Sequence, residues 1–437
     1  MLSSFFCQAT DSRINNATSV LRGLIFVIVS QQPALLKYVR EKYDGSGKAL
    51  FEDPNAWTAL TKIFKNILED PSLQCRYLVV DALDECLTDR AQLLEFIIRS
   101  ATSLRVKWVV ASRNWSEIME RLDTATQGIT LCLELNAASI STAVDSYIRH
   151  KVNQLEIDKG YDHKTSEAVR HHLSLMADNT FLWVALVCKR LQEIPKRKTL
   201  SELRNFPPGL DSLYQLMINR IRDSADASLY KQILAIASIV FEPITFDELN
   251  YFVEIPEDER DDESLASLIT DCGSFLNVQE RTIYFIHQSA KDFLINKVAG
   301  EIFPLGRENI HYTIFSQSLR IISKSLRRDI YDLVAPGTHI DQVKKPEPDP
   351  LAAIWYPCIY WIDHLCDCQI SENAEEDLRD GGSVDTFLRR HYLHWLEALS
   401  LLRSMSDGIH GMIRLDDESC RVRLLHANEL NKCPELH

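Results

Sequence analysis

A short apolar run followed by three acids is the part of this chain best suited to chemistry. The segment reads Tyr77-Leu78-Val79-Val80-Asp81-Ala82-Leu83-Asp84-Glu85. A continuous apolar run of this length is typical of a strand buried on both faces of a parallel sheet. A carboxylate at the end of such a strand can hold the magnesium ion of a nucleoside triphosphate. A nearby Asp or Glu can then orient or deprotonate the attacking water.

This pattern resembles the Walker B half of a P-loop NTPase, whose other half is a phosphate-binding loop. That loop requires the spacing G-x-x-x-x-G-K-[ST], which supplies backbone amides, a Lys and a metal-binding hydroxyl. No segment of the chain has this spacing. The nearest one, Gly45-Ser46-Gly47-Lys48-Ala49, has Lys42 in place of the first Gly and Ala49 in place of the hydroxyl. We interpret it as a flexible turn and not as a phosphate site.

A second apolar run with a cation at its end follows the acidic segment. Helical spacing covers residues 89–100, and the run 106–111 precedes Ser112-Arg113-Asn114. Strand, helix and strand of this length form a βαβ unit, and ligands of parallel sheets bind beyond the carboxyl ends of the strands. Asp81 and Arg113 are therefore predicted to lie at the same edge of the sheet. The plainer alternatives are solvated acids in a turn and a surface cation.

The composition is that of a soluble, acidic protein of about two or three domains. The 437 residues include 62 acids against 48 Lys and Arg, which gives a net charge of −14. This charge provides no general attraction to nucleic acid or to an anionic membrane, and no apolar run is long enough to span a bilayer. The 11 cysteines form no C-x-x-C pair. This usage favours reduced thiols in a cytoplasmic protein over a disulfide framework or a zinc site.

The hydrophobic pattern divides the chain into four regions. Residues 1–136 are predicted to be α/β, an incomplete P-loop NTPase parallel sheet that includes a further strand at 129–135. Because the first strand begins almost at residue 1, we expect preceding strands to be absent. Residues 137–228 are predicted to be all-helical. Residues 229–300 are predicted to form a winged helix, from three helical stretches and a hairpin, and residues 301–437 a helical C-terminal region.

Six sequence blocks, taken in order, resemble the NACHT class of signalling NTPases, specifically the fungal NOD-like and heterokaryon-incompatibility type. The blocks are VDALDEC at 80–86, WVVASRNW at 108–115, TFLWV at 180–184, PPGLD at 207–211, CGSFL at 272–276 and HQSAKDFL at 287–294. The resemblance implies an ATPase core, a helical domain and a winged helix, usually followed by a sensor made of repeats. This chain departs from the family in lacking the phosphate loop and a recognisable repeat sensor.

The resemblance also implies a role for each candidate site residue. ATP or ADP with Mg²⁺ is the implied cofactor, Asp81 handles the metal, and Asp84 or Glu85 serves the water. Arg113 corresponds to the sensor of the terminal phosphate. His287 corresponds to the winged-helix histidine that contacts the nucleotide phosphates and holds the closed state; the plainer alternative is a structural histidine. Since the phosphate loop is missing, we predict that this chain alone is deficient in ATP binding.

Three functions fit these observations. The first is a fragment of a nucleotide-dependent signalling switch. The second is a non-enzymatic interaction module or scaffold that pairs with full-length relatives or with itself through its exposed first strand. The third, DNA binding by the winged helix, is the least favoured. Residues 229–299 hold 13 acids against 5 basic residues, and phosphate binding would have to overcome that charge.

Overall fold

The structure is a computed structural model that describes residues 2–11, 13–46, 51, 56–75, 77–103, 106–113, 118, 121–122, 137–333, 337–368 and 372–430. Its strands are β1 (Leu2–Phe6), β2 (Tyr77–Asp81), β3 (Lys107–Val110), β4 (Ile244–Thr245), β5 (Leu276–Gln279) and β6 (Thr282–Phe285). The helices of the first two regions are α1 (Ala17–Gln31), α2 (Leu36–Ser46), α3 (Ala56–Glu69), α4 (Arg90–Ser103), α5 (Ala137–Lys159), α6 (His163–Met176), α7 (Phe181–Glu193), α8 (Thr199–Leu203) and α9 (Leu210–Arg222). The helices that follow are α10 (Ala227–Ile239), α11 (Phe246–Phe252), α12 (Asp262–Asp271), α13 (Gln288–Asn296), α14 (Ala299–Ile302), α15 (Arg307–Ser325), α16 (Trp355–Asp367), α17 (Glu372–Leu378), α18 (Ser383–Leu401) and α19 (Met405–Leu430).

The first region contains the predicted parallel sheet. Its strands pair in the order β1-β2-β3, with Phe6 opposite Asp81 and Val80 opposite Val110. Helix α1 packs on β1 so closely that a Cβ on Gly23 would lie 2.6 Å from an atom of the Phe5 ring. The predicted strand at 129–135 and the Gly47-Lys48-Ala49 segment lie outside the described residues. The helix α2 continues through Ser46, so the start of the predicted turn is helical.

Only one face of this sheet is buried. Because side chains alternate along a strand, Leu78 and Val80 point to the covered face, while Tyr77 and Val79 point to the opposite one. Tyr77 is 45% exposed and Val79 is half-buried. The expectation that β2 is buried on both faces is therefore wrong on one face. An apolar run is compatible with a strand that is covered on one face or on both, so it could not show that the second face of β2 is open.

The second region is helical, as predicted, and shares its core with the third. Its buried residues, from Val144 onwards, belong to one apolar cluster that also includes Phe275, Leu294 and Tyr356. The indole Nε1 of Trp183 donates a hydrogen bond to the Pro207 carbonyl oxygen at 3.0 Å, which anchors α7 to the segment before α9. A separate cluster, from Cys7 to Ile118, forms the core of the first region.

The third region combines helices α10 to α12 with a small antiparallel sheet of order β4-β6-β5. The predicted hairpin is confirmed, because β5 pairs with β6 and the turn residues Glu280 and Arg281 both have positive φ. Positive φ at both positions gives a turn whose twist matches that of the strands. The sequence did not predict β4, since two residues are too few to show an alternating pattern. Thr245, the last residue of β4, forms a capping box with Glu248 and begins α11.

The C-terminal region is helical, as predicted, and packs around buried aromatic residues such as Tyr356, Trp361 and Trp395. None of the described helices combines the length and apolar character that crossing a bilayer requires. The cysteines of the described part are free thiols, in agreement with the sequence. No three metal-ligating side chains of the described residues lie close enough together to hold an ion.

Candidate functional site

The three acids of the first motif lie in a tight loop at the carboxyl edge of the sheet. Ala82, directly after β2, has a φ of 52°, which turns the chain sharply away from the strand. A short 3-10 turn over Leu83–Glu85 follows. The Leu83 N–H donates to the Ala111 carbonyl oxygen at 2.9 Å, so the loop is attached to the end of the neighbouring strand β3. This attachment brings Asp84 and Arg113 together.

Asp84 is buried and is neutralised by Arg113. Asp84 is only 4% exposed to solvent. One carboxylate oxygen accepts the backbone N–H of Arg113 at 2.9 Å, and the other lies 3.3 Å from the guanidinium Nε. A buried carboxylate without a partner is costly, so Arg113 supplies both a hydrogen bond and the compensating charge. The sequence placed Asp81 and Arg113 at one edge of the sheet, and the residue that contacts Arg113 there is Asp84.

Arg113 also reaches the third region. Its Nη1 donates to a carboxylate oxygen of Asp292 in α13 at 3.0 Å. The other oxygen of Asp292 accepts from Gln288 Nε2 at 2.8 Å. One guanidinium therefore joins the acidic loop of the sheet to a helix 179 residues further along the chain. Asp292 was not predicted from the sequence. It lies in the HQSAKDFL block together with the candidate His287, and this shared block was the signal that could have identified it.

Asp81 and Glu85 are oriented differently from Asp84. One oxygen of Asp81 accepts the Ala82 N–H at 3.0 Å, and the residue is half-buried at the strand end. Glu85 points back towards the loop after β1, where its carboxylate accepts the Ala9 N–H at 3.0 Å. Burial raises the pKa of Glu85 above its ordinary value, the Ala9 hydrogen bond opposes this shift, and the charge of Asp84 adds to it. The roles of these acids towards a metal or a water stay predictions.

His287 begins α13 and lies near the same charges. Its Nδ1 accepts the Ser289 backbone N–H at 3.1 Å and is 2.8 Å from the Ser289 hydroxyl. That hydroxyl is in turn 3.0 Å from the hydroxyl of Tyr214. Restricted hydration lowers the pKa of His287, and the positive charge of Arg113 lowers it further. The histidine therefore has a structural task as a helix cap, and its role towards phosphate stays a prediction.

The described residues at this edge offer a metal ion one carboxylate and offer a nucleotide little positive charge. Mg²⁺ is commonly held by one or two carboxylates together with substrate phosphates, and Asp81 offers an oxygen outside its bond to Ala82. Phosphate groups, in contrast, would meet the carboxylates of Asp81, Asp84, Glu85 and Asp292. Arg113 already contacts two of these carboxylates, and Arg90 donates to the Asp84 carbonyl oxygen at 3.3 Å. Among the described residues, this edge of the sheet therefore offers the phosphates little compensating charge.

The chain is similar to known proteins along nearly its whole length. A family model described as the N-terminal part of nephrocystin 3 matches residues 1–113. Over 434 residues the chain is 53% identical to the vegetative incompatibility protein HET-E-1 of Podospora anserina. This alignment takes in 95% of the chain and 32% of the relative, so the chain spans about a third of the relative's length.

The raised pKa of Glu85 predicts a pH-dependent effect of the substitution Glu85→Gln. An acid whose pKa is higher in the folded than in the unfolded protein contributes stability below its ordinary pKa, near 4.5, and loses it as the pH rises through the folded value. Glutamine cannot ionise and still accepts the Ala9 N–H. We expect the variant to gain stability over the wild type between about pH 4.5 and pH 7, measured by urea unfolding. Glu41→Gln, on the exposed face of α2, is the control and should show no such gain. If the difference in unfolding free energy between Glu85→Gln and the wild type did not change with pH, the raised pKa of Glu85 would be contradicted.

The two contacts of Arg113 predict unequal costs on removal. Arg113→Ala removes the counter-charge of a buried carboxylate and should lower the free energy of unfolding by about 1–3 kcal/mol. Asp292→Ala removes a partner that is itself partly exposed, so the Arg113–Asp292 coupling in a double-mutant cycle should be about 0.2–1 kcal/mol.

Hydrogen exchange provides a readout of the link between the two regions. Asp292→Ala should reduce protection both in α13 and in the loop Leu83–Glu85, because the bridge holds them together. The exposed pair Asp385–Arg389 lies within α18, so Asp385→Ala should leave both segments unchanged. Loss of protection in α13 alone would contradict coupling through Arg113.

Proposed function

We propose that this chain, a protein of the fungal NACHT and heterokaryon-incompatibility type, is a regulatory part of a nucleotide-dependent switch. The observation that carries the proposal is the double contact of Arg113. The residue lies at the carboxyl edge of a parallel sheet, where ligands of such sheets bind, and it contacts both the acidic loop and α13. We interpret α10 to α12 with β4 to β6 as the winged helix of this switch.

The switch would work by competition for one guanidinium. Arginine binds phosphate through two parallel hydrogen bonds, so a terminal phosphate near the acidic loop would draw Arg113 away from Asp292. Asp292 would then lose its cation, and α13 would be released from the sheet. Without phosphate, the contacts with Asp84 and Asp292 hold the two regions together. The energy of the exposed contact is small, which suits an element that has to open and close.

A bound Mg²⁺ would neutralise part of the acidic loop, and in this chain Asp81 would hold it. The sequence lacks the spacing of a phosphate loop, and two cations at this edge, Arg113 and Arg90, already donate to acceptors in the acidic loop. Several phosphate charges would therefore meet more acids than cations. We infer that residues 1–437 taken alone do not bind ATP tightly, and that tight binding requires a segment with phosphate-binding amides and a lysine.

Calorimetric titration of residues 1–437 with ATP and Mg²⁺ tests this inference. We expect no saturable binding in the micromolar range. Micromolar binding that disappears in Asp81→Asn would contradict the deficiency and would place the nucleotide at this edge. Micromolar binding that Asp81→Asn leaves unchanged would contradict both the deficiency and the assignment of the metal residue.

A second candidate function is association with another copy of this chain through the open face of the sheet. Phe6 is 63% and Val109 50% exposed on that face, and parallel sheets are normally covered on both faces. Among the described residues of the three strands, this face carries two charges, Lys107 and Asp81, which are opposite in sign. The face is therefore nearly neutral, although the chain has a net charge of −14. Two copies could therefore meet there without the repulsion that other acidic surfaces would produce.

Light scattering coupled to size exclusion tests association at this face. We expect the wild type to dimerise at tens of micromolar and Val109→Lys to be monomeric, because a lysine ammonium would be buried in the contact. Ile157→Lys is the matched control, since Ile157 is an exposed apolar residue of α5, in the second region. A wild type that is monomeric at all accessible concentrations would eliminate this candidate.

A further inference from the structure

A basic cavity lies between α15 and α18 in the C-terminal region, away from the acidic loop. It has a volume of about 630 Å³ and opens to solvent. Arg320 and Lys324 line it from α15, and Arg390 lines it from α18. Arg320 and Lys324 are four residues apart and therefore project from the same side of their helix. None of the candidate switch residues takes part in this cavity.

The three cations of the cavity lack acidic partners within the described part of the chain. Other basic residues of the same region are paired, such as Arg389 with Asp385 at 2.7 Å. Asp377 is the acid that lines the cavity, and both of its oxygens already accept hydrogen bonds, from Tyr312 at 2.9 Å and Ser383 at 2.5 Å. The cavity is therefore a local excess of positive charge in an acidic protein, and such an excess attracts an anion.

Neutral hydrogen-bonding groups surround these cations. The hydroxyls of Ser316, Ser323 and Thr386 line the cavity. The Nδ1 atom of His391 is buried without a hydrogen-bond partner, although its ring is held by stacking on Phe387 with centroids 5.8 Å apart. His391 is therefore a neutral polar group of the cavity wall whose Nδ1 has no hydrogen-bond partner among the described residues.

The chain also approaches the cavity with its backbone at the start of α18. A Cβ at Gly382 would collide with the carbonyl oxygens of Glu376 and Asp377, so glycine is required for this path. No side chain caps the N-terminus of α18. The carboxylate of Asp385 in the first turn accepts the Gly381 N–H at 2.9 Å, so it offsets the positive end of the helix and the three cations are the main positive charge of the cavity.

We propose that this cavity binds a small molecule that carries two or more phosphate groups. Three cations on two helices, with several hydroxyls between them, match an anion with many acceptor oxygens better than a single carboxylate. The volume exceeds the requirement of one phosphate group and leaves room for a second. The same chemistry is offered by a soluble polyphosphate and by a phosphorylated lipid headgroup at a membrane surface.

The soluble arm of the test is a calorimetric titration with pyrophosphate and, for comparison, inorganic phosphate at near-physiological salt. We expect pyrophosphate to bind the wild type, and to bind it more tightly than phosphate does. The triple variant Arg320→Gln, Lys324→Gln, Arg390→Gln should bind at least about tenfold more weakly, since it removes three charge-assisted contacts.

The matched control is a second triple variant that loses three positive charges outside the cavity. Lys164→Gln, Arg197→Gln, Lys198→Gln removes three exposed cations from the helical second region. It should bind pyrophosphate like the wild type. An equal loss of affinity in both triple variants would show a general effect of net charge and would overturn the proposal. The substituted side chains are exposed, so we expect both variants to unfold at the temperature of the wild type.

The lipid arm uses sedimentation with phosphatidylcholine vesicles that contain or lack phosphatidylinositol bisphosphate. Binding only to the vesicles that contain the phosphorylated lipid, lost in the triple variant of the cavity, would identify a headgroup as the source of the phosphates. Binding of soluble pyrophosphate without vesicle binding would identify a free ligand. If the wild type bound in neither arm, the proposal would be wrong.

Discussion

The need to neutralise one buried carboxylate organises the junction between the sheet and the rest of the molecule. Asp84 is almost inaccessible to water, so the fold must supply it with a counter-charge. The structure does so with Arg113, using both its backbone N–H and its guanidinium. This arrangement fixes the end of β3 against the loop after β2. It leaves one edge of the guanidinium free to contact Asp292, so the same charge also positions α13.

The described contacts between the first region and the remainder include ion pairs that join separate apolar clusters. A second arginine, Arg13, pairs with Glu242 at 3.5 Å, and Glu242 is itself buried and accepts from Tyr360. The second and third regions, in contrast, share a continuous apolar cluster. Ion pairs with one exposed partner are weaker and more salt-dependent than apolar burial. The first region is therefore the part of the molecule best able to move relative to the others.

The sequence predicted those features that depend on local pattern. The parallel βαβ unit, the hairpin at Glu280 and the helical second and C-terminal regions follow from periodicity and turn chemistry over a few residues. The rule that strand ends share one sheet edge predicted the neighbourhood of Asp81 and Arg113, but it did not identify Asp84 as the partner of Arg113. The bridge from Arg113 to Asp292 could not be predicted, because the two residues are 179 positions apart in the sequence and meet only through the packing of two regions. The open face of the sheet was also missed, since apolar strands look alike whether one or both faces are covered.

Charge is left uncompensated at two separate places, and the two are opposite in sign. At the sheet edge, four acids (Asp81, Asp84, Glu85 and Asp292) outnumber the two arginines Arg113 and Arg90. The cavity between α15 and α18, in contrast, brings together three cations around an acid that is already hydrogen-bonded. The two sites cannot neutralise each other, because they belong to different regions with separate apolar clusters. A local excess of charge of one sign creates a potential that attracts a ligand of the opposite sign. A cation bound at the first site and an anion bound at the second would each stabilise the folded state, so ligand binding and fold stability would be linked at both sites.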